Sequence, residues 1–241
     1  DIRRVEAQSG REGLYNFRLG YAEIPRYFAD GATTPFLGSG GNSLTLPAGF
    51  PAATTSSMPL ATTLQPIELG YKASRFDLSG TWIGQQNFSY RVSLRRDVRD
   101  GTKPTAGSFF STASQLAAPV DYTTDQFEVA VSYVTPRLQA TLAYQLSQFD
   151  NGNESLTWSN PFLPVVPGAT QGQLAQAPEN KFYQIVGSIG YQVMPTLRAS
   201  ADFAIGRMTQ DATYLAATVN ASLAPSVPAL PSASLNGSTD T

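Results

Sequence analysis

The chain has 241 residues, enough for one large domain or two ordinary ones. Charged residues make up only 14%, against roughly a quarter in a typical globular domain. With 16 basic and 18 acidic residues the net charge is −2, which gives no electrostatic case for nucleic acid.

Cysteine and histidine are both absent, which excludes disulfides, thiolate chemistry, a Ser–His–Asp triad and haem attachment through C-x-x-C-H within these residues. No run of about 18 apolar residues is present, so no transmembrane helix is expected. No signal peptide is visible, and the sequence opens on Asp1, as a mature chain or an excised segment would. Strands remain as a route through lipid, because a barrel strand needs only about 9–11 residues of alternating hydrophobicity.

Asp1–Gln8 carry a weak strand pattern, and a short turn is expected at Gln8–Arg11. Tyr15, Phe17, Leu19 and Tyr21 then alternate with Asn16, Arg18 and Gly20, which predicts a strand with one apolar face. The segment 25–65 reads as a long loop. Its Gly38-Ser39-Gly40-Gly41 lacks the lysine and the following helix of a phosphate cradle, and reads as flexible loop. In the next strand Ile67, Leu69, Tyr71 and Ala73 are odd-numbered, whereas Phe76, Leu78, Gly80 and Trp82 are even. Either a β-bulge near Ser74–Arg75 or a membrane-embedded part that begins at Arg75 explains the change of phase.

After a short turn at Gly84–Asn87, Phe88, Tyr90, Val92 and Leu94 alternate with Ser89, Arg91, Ser93 and Arg95. Arg95, Arg96 and Arg99 form a small basic cluster before a second long loop, 99–121. A solvated strand end is the plainer reading of that cluster, ahead of a site for lipopolysaccharide or an extracellular cytochrome. Phe127, Val129, Val131 and Tyr133 alternate with Glu128, Ala130 and Ser132, and a short turn follows at Thr135–Arg137. Leu138 to Leu146 alternate with Gln139 to Ser147. A third long loop, 150–180, opens on Asp150-Asn151-Gly152-Asn153-Glu154; hard oxygen donors cluster there, but without EF-hand spacing, so an Asx/Gly turn is expected rather than a calcium loop. Tyr183, Ile185, Ile189, Tyr191 and Val193 oppose Gln184, Ser188 and Gln192. After a short turn at Met194–Thr196, Leu197, Ala199, Ala201, Phe203 and Ile205 oppose Arg198, Ser200 and Asp202. The segment 207–241 reads as a fourth long loop leading into a further strand.

These elements amount to about seven or eight strands in four hairpins. Short turns and long loops alternate along the chain, so an up-and-down barrel would gather the short turns on one rim and the long loops on the other, as outer-membrane barrels do. Two aromatic girdles are expected on the apolar parity. Tyr15, Trp82, Phe88, Tyr133 and Tyr191 lie toward the short turns, and Tyr21, Phe76, Phe127, Tyr144, Tyr183 and Phe203 toward the long loops. The opposite parity supplies Asn16, Arg18, Arg91, Arg95, Glu128, Gln139, Gln145, Gln184, Arg198 and Asp202 as residues to line a lumen or face a partner. The expected fold class is all-β: an antiparallel, up-and-down transmembrane β-barrel segment, forming one incomplete domain over residues 1–241. An open sheet leaves two unpaired edges, so the segment is not expected to be stable alone. Catalysis has no support in the residues.

The loops carry a resemblance to a family. Arg26-Tyr27-Phe28-Ala29-Asp30-Gly31-Ala32-Thr33-Thr34-Pro35-Phe36 and Gly40-Gly41-Asn42-Ser43-Leu44-Thr45-Leu46-Pro47 resemble the MtrB/PioB outer-membrane barrels. So do Arg99-Asp100-Gly101-Thr102-Lys103-Pro104 with Ser108-Phe109-Phe110, and Pro119-Val120-Asp121-Tyr122-Thr123-Thr124-Asp125. Phe149 to Phe162 and Gly206-Arg207-Met208-Thr209-Gln210-Asp211 complete the set, in family order. The resemblance implies a segment of a porin-like barrel of over twenty strands in a bacterial outer membrane, with periplasmic turns and extracellular loops. It implies a lumen that houses a periplasmic decahaem c-type cytochrome, an extracellular multihaem cytochrome as a further partner, and electron transfer for metal reduction or iron oxidation. Haem would then belong to the partner and not to this chain. From the residues alone, a general solute-conducting porin and a soluble β-rich glycan-binding module remain as rival readings.

Overall fold

Alternating side chains call for a surface with two unlike faces, and the chain builds one. The computed structural model describes residues 2–241. Its strands are β1 (Arg3–Arg11), β2 (Tyr15–Ala29), β3 (Thr33–Thr34), β4 (Ser43–Leu44), β5 (Gln65–Pro66), β6 (Leu69–Ile83) and β7 (Phe88–Phe109). They continue with β8 (Thr112–Val134), β9 (Leu138–Asn151), β10 (Ser155–Ser159), β11 (Gln171–Ala175), β12 (Asn180–Met194), β13 (Leu197–Gln210) and β14 (Gly237–Asp240). Nine of them form one open antiparallel sheet in the order β1-β2-β6-β7-β8-β9-β12-β13-β14. The weakly patterned first segment is thus a full strand, although Asp1 lies outside the described residues. The four-residue β14 pairs with Arg207–Gln210 and brings the sheet to one strand more than expected.

The register shows how the strands lean. Tyr15, the first residue of β2, shares a cross-strand row with Trp82, Tyr90, Val131, Leu142, Gly187 and Phe203. Phe203 lies six residues into β13, so the row climbs six residues in six strand-to-strand steps. One residue per step is about 3.3 Å of climb for about 4.8 Å of width, a tilt of roughly 35°. That is the tilt of barrel walls.

Three expectations are corrected and one open choice is decided. The first turn lies at Glu12–Leu14, not Gln8–Arg11: β1 runs through Arg11, Leu14 N donates to Arg11 O at 3.0 Å, and Gly13 takes the positive φ of 72° that the turn requires. No bulge occurs near Ser74–Arg75, since β6 stays in register with β7 from Tyr71 to Ile83. That leaves the second explanation, in which the polarity of the two faces inverts on the long-loop side of Arg75. The segment 99–121 is not a loop, because β7 and β8 continue past their neighbours as a hairpin that turns at Phe110 and Ser111. Pro104 and Pro119 fit there because β6 pairs only as far as Gly101 and β9 only as far as Tyr122, which leaves free edges where a missing N–H costs no ladder bond. Finally, the long segments are not structureless.

Instead, the long segments fold together with the hairpin into a cap, and the buried hydrophobic cluster of the described residues lies there. Phe36 and Leu44 come from the 30–68 segment, Leu116 and Ala118 from β8, and Leu156 and Trp158 from β10, with Leu46 and Phe109 packed against them. β10 pairs with β11 and, in parallel, with β4, which joins two loops far apart in sequence. Trp158 lies over Gly107 and Gly172, where a Cβ on either glycine would strike its indole ring.

Candidate functional site

The residues expected to line a lumen all fall on one face of the main sheet. Arg18, Ser79, Ser93, Glu128, Gln145, Gln184 and Gly206 make one continuous row across seven strands. Asn16, Arg91, Arg95, Gln139, Arg198 and Asp202 share that face by parity. Gln8 Nε2 donates to Asn16 Oδ1 at 3.2 Å, and Arg18 Nη2 to Glu6 Oε2 at 3.0 Å. Glu128 is held from both sides, by Arg91 Nε at 3.0 Å and Gln145 Nε2 at 3.1 Å. Arg198 reaches across a strand to give Gln139 Oε1 a bond of 2.6 Å. It can do so because Gly190 lies between them, where a Cβ would sit 2.8 Å from its Nη2. Part of the charge on this face is thus consumed within it, whereas Asp202 forms no ion pair among the described residues. Arg95 is another exception: it faces Asp77 in register, but Asp77 leans over Gly20 and no ion pair forms between them among the described residues.

The eleven aromatic residues of the expected girdles all fall on the other face. Phe88 and Tyr133 are paired across strands with ring centroids 4.8 Å apart, and Trp82 meets Tyr90 at 6.2 Å. Tyr21 points its hydroxyl at Glu23 Oε2, 2.9 Å away, so the ring stays with the apolar band and the hydroxyl with the charged rim. Trp82 is 61% exposed, Phe203 52% and Ile205 68%. In water so broad an apolar face is an aggregation liability. Against hydrocarbon it is what a strand must present. On β12 the apolar set from Tyr183 to Val193 spans ten residue steps, about 33 Å along the strand and roughly 25 Å across the membrane at the tilt of such barrels.

The basic cluster foreseen at Arg95, Arg96 and Arg99 does not exist as a unit. Arg95 and Arg99 lie on the polar face, and Arg96 on the apolar one, because neighbours in a strand point to opposite sides. Around Asp150–Glu154 the structure shows an Asx turn, with Asn153 N donating to Asn151 Oδ1 at 3.1 Å. Asn151 Nδ2 is spent on Ala177 O. Among the described residues no group of three or more carboxylates gathers to hold a metal. Gly38–Gly41 is the tip of a small turn, closed by Leu37 and Thr45.

Sequence reasoning missed the cap. Leu116 and Ala118 in β8, and Gly107 and Phe109 in β7, carry the parity of the polar face, so the cap packs on that side of the sheet and overhangs it. Asn220 ties the 211–236 segment to the rest. Its Oδ1 accepts from Thr170 N and Gln171 N, and its Nδ2 donates to Gln171 O. The available signal was the alternation of Leu156 and Trp158 inside a segment read as loop.

A sheet with one polar and one apolar face, a barrel's tilt and a one-sided cap is the anatomy of a porin-like wall. The family profile described as outer membrane beta-barrel porin, MtrB/PioB matches residues 1–241. The chain belongs to the MtrB/PioB family. A relative in Shewanella baltica (strain OS185), described as outer membrane protein MtrB, is 34% identical over 210 residues. That match takes in 86% of this chain but 30% of the relative's length. As a member of the MtrB/PioB family, the chain is an outer-membrane β-barrel protein of porin-like type.

Proposed function

We propose that this chain is part of the wall of a larger outer-membrane barrel that sheathes a multihaem c-type cytochrome and supports electron transfer across the membrane. The observation that carries the reading is the cap. Long loops fold back over the polar-face side and bury a core there, so the mouth is bordered by folded protein. That suits a sheath around a fixed occupant better than a passage for free diffusion.

The apolar face meets lipid with the two aromatic girdles at its margins. The polar face lines the lumen, and Arg95 keeps an unspent charge for the occupant. The short turns face the periplasm and the long loops the exterior. The chain has neither His nor Cys, so the haems belong to the partner. Because the match covers 30% of the relative's length, we read the nine-stranded sheet as one incomplete domain of a barrel of over twenty strands. The exposed apolar face removes the soluble glycan-binding reading.

The test uses the full-length protein, extracted in detergent from its native membrane. Co-purification of a haem-staining partner is expected, together with low ion conductance in liposomes that rises when the partner is stripped. Free conductance and no haem-bearing partner in any preparation would establish the general porin instead.

A further inference from the structure

Charge on the apolar face is confined to the long-loop rim in β6, β7, β8, β9 and β12. At the short-turn end these strands finish that face with Trp82, Phe88, Tyr133, Leu138 and Val193. At the other end the first polar residue above the apolar band is Arg96 on β7, Asp125 on β8, Gln148 on β9 and Lys181 on β12. These four form one unbroken row. Beneath the first three lies a recess of about 400 Å³ with a floor of Phe76, Leu94, Phe127 and Leu146. Its lip is Arg96, Asp125 and Gln148. A site with an apolar floor and a charged lip, open toward hydrocarbon, takes an amphiphile.

The lip also has a defined chemistry. Arg96 spends Nε and Nη2 on the Asp125 carboxylate, with both bonds at 2.7 Å, which fixes the guanidinium and leaves Nη1 directed elsewhere. Gln148 is turned to Asp150 by bonds of 2.9 and 3.1 Å. Lys181 is exposed and forms no ion pair among the described residues. The two cationic donors are three strand steps apart, about 14 Å. A bis-phosphorylated disaccharide headgroup spans such a gap, and a single small phosphate does not.

We propose that this recess seats a phosphorylated glycolipid of the outer leaflet. The acyl chains lie over Phe76, Leu94, Phe127 and Leu146, and the headgroup phosphates meet Arg96 Nη1 and Lys181 Nζ. The proposal rests on the reading that the long loops face outward. Its test needs no haem partner, so its failure would leave the sheath reading standing. Full-length protein in detergent is exchanged into bis-phosphorylated lipid A, into the same lipid with both phosphates removed, and into a zwitterionic phospholipid. Retained lipid is counted by native mass spectrometry, and heat-shifted electrophoretic mobility reports the folded barrel.

Selective retention of the bis-phosphorylated lipid by the wild type is expected. Lys181→Gln should weaken it about fivefold, the effect of one basic residue near an anionic surface. Arg96→Gln combined with Asp125→Asn, which leaves no orphaned carboxylate, should weaken it to a similar degree. Arg137→Gln, in a short turn at the opposite rim, should change nothing. Equal retention of the dephosphorylated glycolipid or of the zwitterionic lipid overturns the proposal without reference to any variant. Unchanged retention in both rim variants overturns it as well.

Discussion

Gly187 shows how closely the apolar face is fitted. It lies opposite Phe203 on the neighbouring strand, and a Cβ at Gly187 would strike the ring. Gly80 stands in the same relation to Phe17. Each ring fills the gap that a glycine leaves, which ties two strands together without a side chain from the second. Gly187→Val is therefore expected to cost about 1–3 kcal/mol by overpacking. The check is a lowered midpoint of heat-modified mobility in the full-length protein, with Ala201→Val, on the same face and without an opposing ring, as the comparison. Trp158 is the corresponding residue of the cap. It is 4% exposed, and its Nε1 has no hydrogen-bond partner. Its value is therefore volume and not polarity. Trp158→Ala is expected to cost about 3–5 kcal/mol of cap stability. Trp158→Phe is expected to cost less than Trp158→Ala, because the smaller ring keeps most of the volume and removes a buried donor with no partner. Protease sensitivity of the 30–68 and 152–179 segments, read on an intact barrel, distinguishes the two.

At the level of elements, β12 allows a sharp comparison of the two faces. Ile189 lies on the apolar face and Ser188 on the polar one, one residue apart in the same strand. Ile189→Arg near the middle of the band is expected to cost about 2–4 kcal/mol and to lower the amount of assembled barrel. Ser188→Arg is expected to assemble normally. Similar loss in both would contradict the facing. Asn220 supplies most of the side-chain hydrogen bonds between the 211–236 segment and residues 168–171, so Asn220→Ala should loosen the segment and raise its sensitivity to proteolysis while leaving the sheet unchanged. The strands were legible in the sequence because the period-two rule is local: Phe88 to Leu94 declare their face without knowing their neighbours. The cap was not legible. Its contacts join Thr157 to Asn42 O and Asn220 to Gln171 O, and no local pattern records a pairing over such distances. The choice left open along β6 has a different cause. Polarity inverts along β6 where the strand leaves the apolar band, and a single sequence shows the inversion without showing whether the backbone or the environment has changed.

For the whole molecule, the sheet is open, and the match covers 30% of the relative's length. A wall segment with two unpaired edges cannot satisfy its backbone in lipid. A protein cut to these 241 residues is accordingly expected to yield no monomeric, protease-resistant barrel on refolding in detergent, and recovery of one would contradict the wall reading. The sequence by itself determined the two faces, the parity of the aromatic residues, the positions of three of the four short turns and the absence of histidine and cysteine. Each of these depends only on residue type and near neighbours. The tertiary structure alone decided the tilt, the row that sets Arg96 beside Asp125, Gln148 and Lys181, and the side on which the cap is built. These follow from register and from contacts between distant segments, and register is a property of paired strands, not of any one of them.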